Sequence, residues 1–331
     1  MKLTAPAAKS PVQSVILDAD DLNLITLAQE YQDEDKARSL LEILRWPHGA
    51  VCPRCQNDGK TKPNSKLTPK AGSKTPVRKG VYFCGACRQQ FTVTVGTAME
   101  GSHVPISKWL MAFFLISSSK KGMSANQLHR MLKLTYKTAW FMAHRIRYAM
   151  GDNGGVESML KGVVEVDETF VGGKGVMCSK SRRKTPVMAL VERGGKMKAR
   201  VISNVTQMNL GKVLNECVSK TATVNTDELP AYRNPLKDWK AHNAVNHSKK
   251  QYSRKMEDGS KAGINGCESF FSLLKRGVYG AWHCVSREHL QKYTNEFSFR
   301  WNTRFLTDGA RMAEAVPMIT GKRLFYRQPE N

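Results

Sequence analysis

The 331-residue sequence lacks any apolar segment long enough to cross a bilayer. Its longest apolar run, residues 109–116, is far shorter than the roughly 20 residues that a spanning helix needs. The N-terminus has no basic segment followed by an apolar core, and Asp18, Asp20 and Asp21 come early, so we predict no secretion signal. These absences predict a cytoplasmic protein with no membrane partner.

Acidic residues are also scarce. The chain has 28 Asp and Glu against 52 Lys and Arg, which gives a formal net charge of +24 and an isoelectric point near 9.8. A cationic excess of this size indicates a polyanionic partner, and we predict double-stranded DNA. The apolar content of 41% is ordinary for a globular protein, and the length suits two or more compact units.

The eight cysteines are expected to be thiols or metal ligands, because a cytoplasmic protein seldom keeps disulfides. Cys52 and Cys55 form one CxxC motif, and Cys84 and Cys87 form another after 28 intervening residues. Two such pairs can hold one tetrahedral Zn²⁺, so we predict a zinc ribbon over residues 49–96. A redox CxxC is disfavoured because there are two motifs and no surrounding βαβ pattern. The other cysteines are expected to be small core residues: Cys178, Cys217, Cys267 and Cys284.

Three other N-terminal stretches have distinct compositions. Residues 1–17 are rich in Pro, Ala and Lys and are predicted to be disordered, whereas helical spacing of apolar residues predicts two short helices over 18–48. Residues 59–80, inside the ribbon, contain seven basic residues and no acid, together with Pro, Gly and Ser. This composition predicts a mobile basic loop between the two cysteine pairs.

Residues 105–150 have helical periodicity throughout. Helices are predicted over 106–117, over 125–132 after an N-cap at Ser124, and from Thr135 onward. The last two are joined by a short turn and resemble a helix-turn-helix, whose final helix lies in a major groove. A plain three-helix bundle would show the same periodicity. The basic residues of that final helix are Lys137, His144, Arg145 and Arg147, of which Lys137, Arg145 and Arg147 are predicted to bind DNA.

From residue 160 the pattern changes to α/β. The order βββαβ followed by helices predicts an α/β RNase H-like domain over 160–306, a mixed sheet flanked by helices, and leaves 307–331 as a tail. The predicted strands are 163–173, 186–192, 198–205, 223–228 and 241–247, and the predicted helices are 210–218, one from 263, and 288–304.

Three acids fall on elements that would be neighbours in such a fold. Asp167 lies on the first strand, Asp227 at the end of the fourth, and Glu268 on the helix that follows later. Carboxylates without a histidine cluster favour Mg²⁺ or Mn²⁺, and two such ions can catalyse phosphoryl transfer. For Asp167 alone, an edge strand whose acids pair with lysines is an equal alternative.

The third ligand has two candidates. Asn265 lies three residues before Glu268, on the same side of the helix, and Glu268 is preferred because an anionic oxygen binds a hard cation better than an amide oxygen. Lys275, two turns after Glu268, is predicted to hold a phosphate beside the metals. Solvated ion pairs are the expected role of the remaining acids of this region: Glu165, Glu168 and Glu228.

Further basic residues are predicted to contact DNA. Arg300 and Arg304 lie one turn apart, and Arg276 directly follows Lys275. Phosphate contact is the predicted role, although a solvated basic face would have the same pattern. His247 and His283 are candidates for contact with the cleaved DNA, with a structural hydrogen bond as the equal alternative.

Several motifs resemble those of bacterial insertion-sequence transposases of the ISXO-like group. They are residues 45–47, 136–140, 165–174, 246–248, 265–277 and 296–304. The resemblance implies a zinc ribbon and an RNase H-like DDE core that cuts element ends and joins them to target DNA. It places the first two acids on Asp167 and Asp227. The group writes the third position as Glu or as Asn followed by Lys, so Glu268 and Asn265 both remain.

The resemblance also implies a homo-oligomer, because transposition brings two ends together, although no coiled-coil heptads mark an interface. Two alternatives follow from the residues: a zinc-ribbon and helix-turn-helix regulator without catalysis, and an RNase H-like nuclease that hydrolyses DNA but never joins it.

Overall fold

The computed structural model describes residues 2–3, 17–18, 22–68, 77–152, 154, 156–172, 184–245, 253–255 and 261–326. The chain divides into two compact units. The first comprises residues 1–119, 123–150 and 305–331, and the second comprises residues 120–122 and 151–304. The second unit is therefore inserted into the sequence of the first.

Strands and helices are numbered in chain order. The strands are β1 Lys2–Leu3, β2 Leu17–Asp18, β3 Ser65–Lys66, β4 Val81–Phe83, β5 Gln90–Thr92, β6 Val163–Val171, β7 Thr185–Glu192, β8 Met197–Val201, β9 Thr223–Asp227, β10 Ala241–Val245, β11 Ser253–Lys255 and β12 Lys261–Gly263. The α-helices are α1 Leu24–Gln29, α2 Glu34–Arg45, α3 Ile106–Ser118, α4 Ala125–Leu132, α5 Tyr136–Ala149, α6 Gln207–Cys217, α7 Asn265–Gly277, α8 Arg287–Asn302 and α9 Asp308–Ala315.

In the first unit, the helix starts predicted at Ser124 and Thr135 are confirmed. The Ser124 hydroxyl accepts the Gln127 N–H at 3.1 Å, and the Thr135 hydroxyl accepts the Thr138 N–H at 3.2 Å. Between them Lys133 ends α4 in the left-handed conformation, with φ of 48°. These caps satisfy N–H groups that have no partner within the helix, so α4 and α5 meet at a short, defined turn.

The segment 307–331, predicted to be a tail, instead contains α9 and returns to the first unit. Thr97 bridges to Thr320, and the Gly321 N–H donates to the Gly96 carbonyl at 2.8 Å. Met312 is fully buried. The sequence hid this helix because it is only eight residues long and buries few large side chains. Residues 1–17 were predicted to be disordered, and most of them lie outside the described residues. Of those described, β1 pairs with β2.

The second unit is built on a five-stranded mixed sheet flanked by helices, as predicted. The strand order is β10-β9-β6-β7-β8. Strand β6 runs parallel to β9 and antiparallel to β7, while β9 and β10 are parallel. The predicted strand 198–205 ends at Val201, because the residues after it lead into the Thr206 cap of α6. Predicted strand 241–247 is described only to Val245.

Both faces of this sheet are covered. Val164, Val166 and Leu190 pack with α6 on one face, whereas Ala189 and Val191 pack with α7 on the other. Successive strand side chains point to opposite faces, and β7 is buried on both because helices cover both sides. Asp167, midway along β6, therefore lies in a sheet that helices cover on both faces. Among the described residues, none of the helices has the length and apolarity to span a membrane.

Candidate active site and zinc centre

The four CxxC cysteines converge in the first unit. Their Sγ atoms all lie within 4.8 Å of one another; Cys52 and Cys87 are 3.7 Å apart, and Cys55 and Cys84 are 3.5 Å apart. Sulfurs bound tetrahedrally at about 2.3 Å from one Zn²⁺ are about 3.8 Å apart. The cluster therefore fits the predicted structural zinc.

The two cysteine pairs share one backbone geometry. The Gln56 N–H donates to the Cys52 carbonyl at 2.9 Å, and the Arg88 N–H donates to the Cys84 carbonyl at 3.0 Å. Gln56 and Arg88 both have positive φ, 59° and 56°. Although burial raises the pKa of Cys84, N–H groups of Cys87 and Ala86 outweigh it and lower that pKa to about 6. A thiol with this pKa is readily available as the thiolate that binds zinc.

Part of the basic insertion 59–80 is ordered, contrary to prediction. Strand β3 adds to β4, and Lys66 pairs with Glu42 at 2.8 Å. Asn64 donates to the Ala50 carbonyl at 2.8 Å. A Cβ on Gly85 would lie 2.5 Å from the Pro63 carbonyl oxygen, so a glycine is required where the insertion crosses the second CxxC. Residues 69–76 lie outside the described residues.

In the second unit, two of the predicted acids lie at the same level on neighbouring strands. Glu165 on β6 pairs with Asn225 on β9 in the parallel register. Asp167 and Asp227 each come two residues later. Because strand side chains alternate, both carboxylates leave the same face of the sheet, Asp167 from the middle of β6 and Asp227 from the end of β9.

Helix α7 begins directly over this part of β6. The Gly266 N–H donates to Glu165 Oε2 at 2.7 Å, and the Cys267 thiol donates to the Glu165 carbonyl at 3.3 Å. A Cβ on Gly266 would lie 2.8 Å from that Oε2 atom, so glycine allows the close approach. Glu165 is buried and also pairs with Arg193 at 2.7 Å. The sequence predicted a solvated ion pair for Glu165. The residue is instead buried and caps the N-terminus of α7, which brings Glu268 to the sheet.

The electrostatics of Asp167 show that the acids are close together. Burial raises its pKa from the ordinary 3.8 to about 7. The Glu168 N–H opposes this shift, while the negative charges of Glu168, Asp227 and Glu268 add to it. Within the described ranges, only the four cysteines bring three or more potential ligand atoms within 4.8 Å, so these carboxylates are spaced more widely.

Glu168 points to the opposite face, where it meets a residue that the sequence did not single out. The fully buried Tyr232 donates its hydroxyl proton to Glu168 Oε2. Burial raises the pKa of Glu168, this hydrogen bond lowers it, and the charge of Asp227 raises it. The Leu229 N–H also donates to Asp227 Oδ1 at 3.1 Å. The segment after β9 is thereby tethered to β6, which holds Asp227 beside Asp167.

The raised pKa of Asp167 predicts a pH-dependent cost to stability. In metal-free protein this carboxyl stays protonated up to about pH 7 when folded but ionises near 3.8 when unfolded. The folded state binds more protons in that window, so this contribution to the unfolding free energy falls as pH rises. We expect Asp167→Asn to gain stability relative to wild type between pH 4 and 7, by up to roughly 4 kcal/mol.

Urea unfolding of the second unit in EDTA at pH 5 and pH 8, with wild type and Asp167→Asn side by side, measures this difference. A stability difference that does not change between the two pH values would contradict the placement of Asp167.

The third-ligand candidates both lie in the first turn of α7. Cys267, Phe270 and Leu274 form its buried face, while Asn265 and Glu268 are exposed. At about 100° per residue, Glu268 and Lys275 lie along nearly the same flank and Asn265 is about 60° further round. The charge of Glu268 raises the pKa of Asp167, whereas Asn265 is neutral, so both candidates remain.

Two of the predicted DNA contacts on α5 are buried, so their positions do not support that role. Arg145 is 8% exposed and donates to the Glu100 carbonyl at 2.8 Å; Arg147 is 1% exposed and donates to the Met123 carbonyl at 2.9 Å. His144 is also buried. These cations bind backbone carbonyls within the first unit, which stabilises the unit and keeps them away from a phosphate.

Arg300 is a further correction. Its guanidinium is 8% exposed and pairs with Glu296, which is fully buried. The two residues lie one turn apart on α8, so the pair is internal to that helix, and its burial leaves no surface for DNA. Removing one partner of a buried pair typically costs about 3–5 kcal/mol, because the remaining charge stays in the interior.

We therefore expect Glu296→Gln to lower the unfolding free energy by about 3 kcal/mol. Asp308→Asn, which breaks an exposed pair with Arg311 at 3.3 Å, is the matched control and should cost less than about 1 kcal/mol. Denaturant unfolding of the three proteins measures both changes. Equal stability of Glu296→Gln and wild type would contradict the buried-pair assignment.

The other predicted contacts are accessible. Lys137 and Arg276 are exposed, and Arg304 is partly exposed with its guanidinium 5.0 Å from the Trp301 ring centroid. His283 is exposed and has φ of 62° at the end of the π-helix Val278–Trp282. His247 and Cys178 lie outside the described residues. Cys217 and Cys267 are buried as predicted, but Cys284 is exposed.

Comparison with known proteins agrees with this architecture. Residues 159–302 match the family model described as the ISXO2-like transposase domain, and residues 32–90 match the transposase zinc-ribbon domain. A protein of Halobacterium salinarum, named as an uncharacterized protein in transposable element ISH50, is 27% identical over 290 residues, covering 82% of this chain and 91% of that protein.

Among solved structures, a simian T-cell lymphotropic virus intasome in complex with the PP2A regulatory subunit B56 gamma is 15% identical, covering 56% of this chain and 69% of that chain. Its TM-score of 0.27 is too low to support any argument. The domain matches and the ISH50 relative stand independently of it. Residues 159–302 thus match the ISXO2-like transposase domain, residues 32–90 match the transposase zinc-ribbon domain, and the chain as a whole is similar to a protein of a transposable element.

Proposed function

We propose that this chain is an insertion-sequence transposase that binds the duplex DNA of its element ends, cuts it, and joins the cut ends to target DNA by metal-dependent phosphoryl transfer. The observation that carries the proposal is the placement of Asp167 and Asp227 at one level on adjacent parallel strands, with Glu268 near enough for its charge to raise the pKa of Asp167.

The donor set fits hard divalent cations. Asp167, Asp227 and Glu268, or Asn265 in place of Glu268, would hold Mg²⁺ or Mn²⁺, which prefer oxygen ligands. When bound, two such ions activate the attacking oxygen and stabilise the departing one. The raised pKa of Asp167 is consistent with this role, because a site that crowds negative charge gains most from a bound cation.

The chain's own residues hold the proposed ligands in position. Glu165 caps α7 and thereby holds Glu268 over β6, while Tyr232 and Glu168 hold the segment that follows Asp227. Lys275, on the same flank of α7 as Glu268, is placed to bind a phosphate of the reacting strand. Arg276 and Arg304 contribute further positive charge for the DNA backbone. Because two element ends must be brought together, the working form is a homo-oligomer.

Incubation of supercoiled plasmid carrying both element ends with the full chain and Mg²⁺ tests this proposal. Nicking at the element ends together with joined product is the expected result. Binding without nicking would favour the DNA-binding regulator, and nicking without joined product would favour the nuclease. Omission of the divalent ion should abolish the reaction and leave DNA binding in place.

A further inference from the structure

We propose that the C-terminal residues 322–326 complete a duplex-DNA-binding surface on the first half of α5, with Tyr326 packing against the DNA backbone beside Lys137. The inference deepens the DNA-binding part of the proposed function and rests on it. The surface consists of Arg130, Lys133, Tyr136, Lys137, Arg323, Phe325 and Tyr326, and we call it the α5 surface.

Charge is the first argument. No Asp or Glu occurs from residue 120 to residue 150, so α4, the turn and α5 carry positive charge alone. Arg130, Lys133 and Lys137 are all exposed. A surface with several accessible cations and no competing acid fits a polyanion, and each cation can neutralise one phosphate.

The second argument is the way in which side-chain exposure changes along α5. At its start Tyr136 is 55% exposed and Lys137 is also exposed, whereas Arg145 and Arg147 near its end are buried. Only the first half of the helix can therefore meet a partner. This is the half with which the second helix of a helix-turn-helix contacts base edges.

The C-terminal segment lies against that same half. The Tyr326 ring centroid is 5.4 Å from the Phe141 ring and 6.5 Å from the Trp140 ring, and Lys137 Nζ is 4.8 Å from the Tyr326 centroid. Tyr326 nevertheless remains 53% exposed. The Tyr326 ring therefore lies beside Lys137 on the outside of the α5 surface and is not buried beneath that surface.

The segment is firmly anchored. Lys322 Nζ donates to the Ala149 carbonyl at 2.7 Å, at the end of α5, and Arg145 Nε donates to the Leu324 carbonyl at 3.4 Å. Leu324 is 4% exposed. Arg145, one of the two α5 arginines that the sequence assigned to DNA, instead holds the segment that carries Tyr326.

The segment 322–326 carries both cationic and aromatic side chains, which favours DNA over an apolar protein partner. Phe325 is 45% exposed and has the Arg323 guanidinium 4.6 Å from its ring centroid. Arg323 also pairs with an acid of the first unit, Glu100, at 3.3 Å. Tyrosine and arginine side chains regularly contact the DNA backbone, and such contacts do not depend on base sequence.

Binding of the full chain to a 30-base-pair duplex of random sequence, measured by fluorescence anisotropy from about 50 to 200 mM KCl, tests the inference. Lys137→Ala should reduce the slope of log K against log salt by about 1, since one phosphate contact is lost. Tyr326→Ala should weaken binding by about fivefold at every salt concentration with the slope unchanged, because tyrosine carries no charge. Phe305→Ala, which removes another exposed aromatic ring of the first unit, should bind as wild type.

Tyr326→Phe and the thermal midpoint of each variant separate contact from folding. The phenylalanine variant should keep the wild-type midpoint and most of the affinity. Wild-type affinity and slope in both alanine variants would overturn the inference while the proposed function stands. If the alanine variants dissociate the oligomer without loss of DNA affinity, the surface is a protein interface, and the inference is likewise overturned. Failure of wild type itself to bind duplex would instead overturn the DNA-binding function.

Discussion

Asp167→Asn is expected to lower the rate of strand cleavage by at least about 10³-fold, which corresponds to roughly 4 kcal/mol of lost transition-state stabilisation. The amide keeps the shape of the side chain but cannot supply the negative oxygen that a hard cation requires. Duplex affinity should stay within about twofold, because the α5 surface and the zinc ribbon are unchanged. Single-turnover nicking of end-bearing plasmid measures the first effect, and anisotropy measures the second.

Glu216→Gln is the matched control, since this exposed acid lies on α6 in the same unit. It should cleave as wild type. Cleavage by Asp167→Asn at the wild-type rate would remove the catalytic assignment. The same assay on Glu268→Gln and Asn265→Ala decides the third ligand: the variant whose loss equals that of Asp167→Asn identifies it.

Replacement of both Cys52 and Cys55 by Ser is expected to abolish zinc binding and unfold the ribbon. Structural zinc sites contribute about 10–16 kcal/mol of apparent binding free energy, far more than the hydrogen bonds of three short strands can replace. Metal analysis should show about one zinc per wild-type chain and almost none in the variant. Limited proteolysis should then cut within residues 49–58 and 81–96, where the folded ribbon protects the wild type.

Cys284→Ser is the control, because Cys284 is exposed and lies outside the four-cysteine cluster. Its zinc content should equal that of wild type. A full zinc equivalent in the Cys52 and Cys55 double variant would show that the metal binds elsewhere. Chelation of wild-type protein should reproduce the proteolytic pattern of the double variant without any change in sequence.

The sequence alone determined the elements whose pattern is local. The alternation of β6 put Asp167 on one face and Glu168 on the other, and the two CxxC motifs specified four ligands before any fold was known. Caps at Ser124 and Thr135 were equally readable, because a cap depends on residues three positions away. Such features are set by neighbours in the chain, so the chain is enough to find them.

Only the tertiary structure decided which cations are free to meet DNA. Arg145 and Arg147 have the same sequence context as exposed basic residues, but folding buries them against the carbonyls of Glu100 and Met123. Packing of α8 likewise buries Arg300 together with its local partner. The tertiary structure also decided that Glu165 caps α7 and that residues 322–326 pack on α5. Burial and pairing depend on segments far apart in sequence, and no local pattern encodes which segments meet.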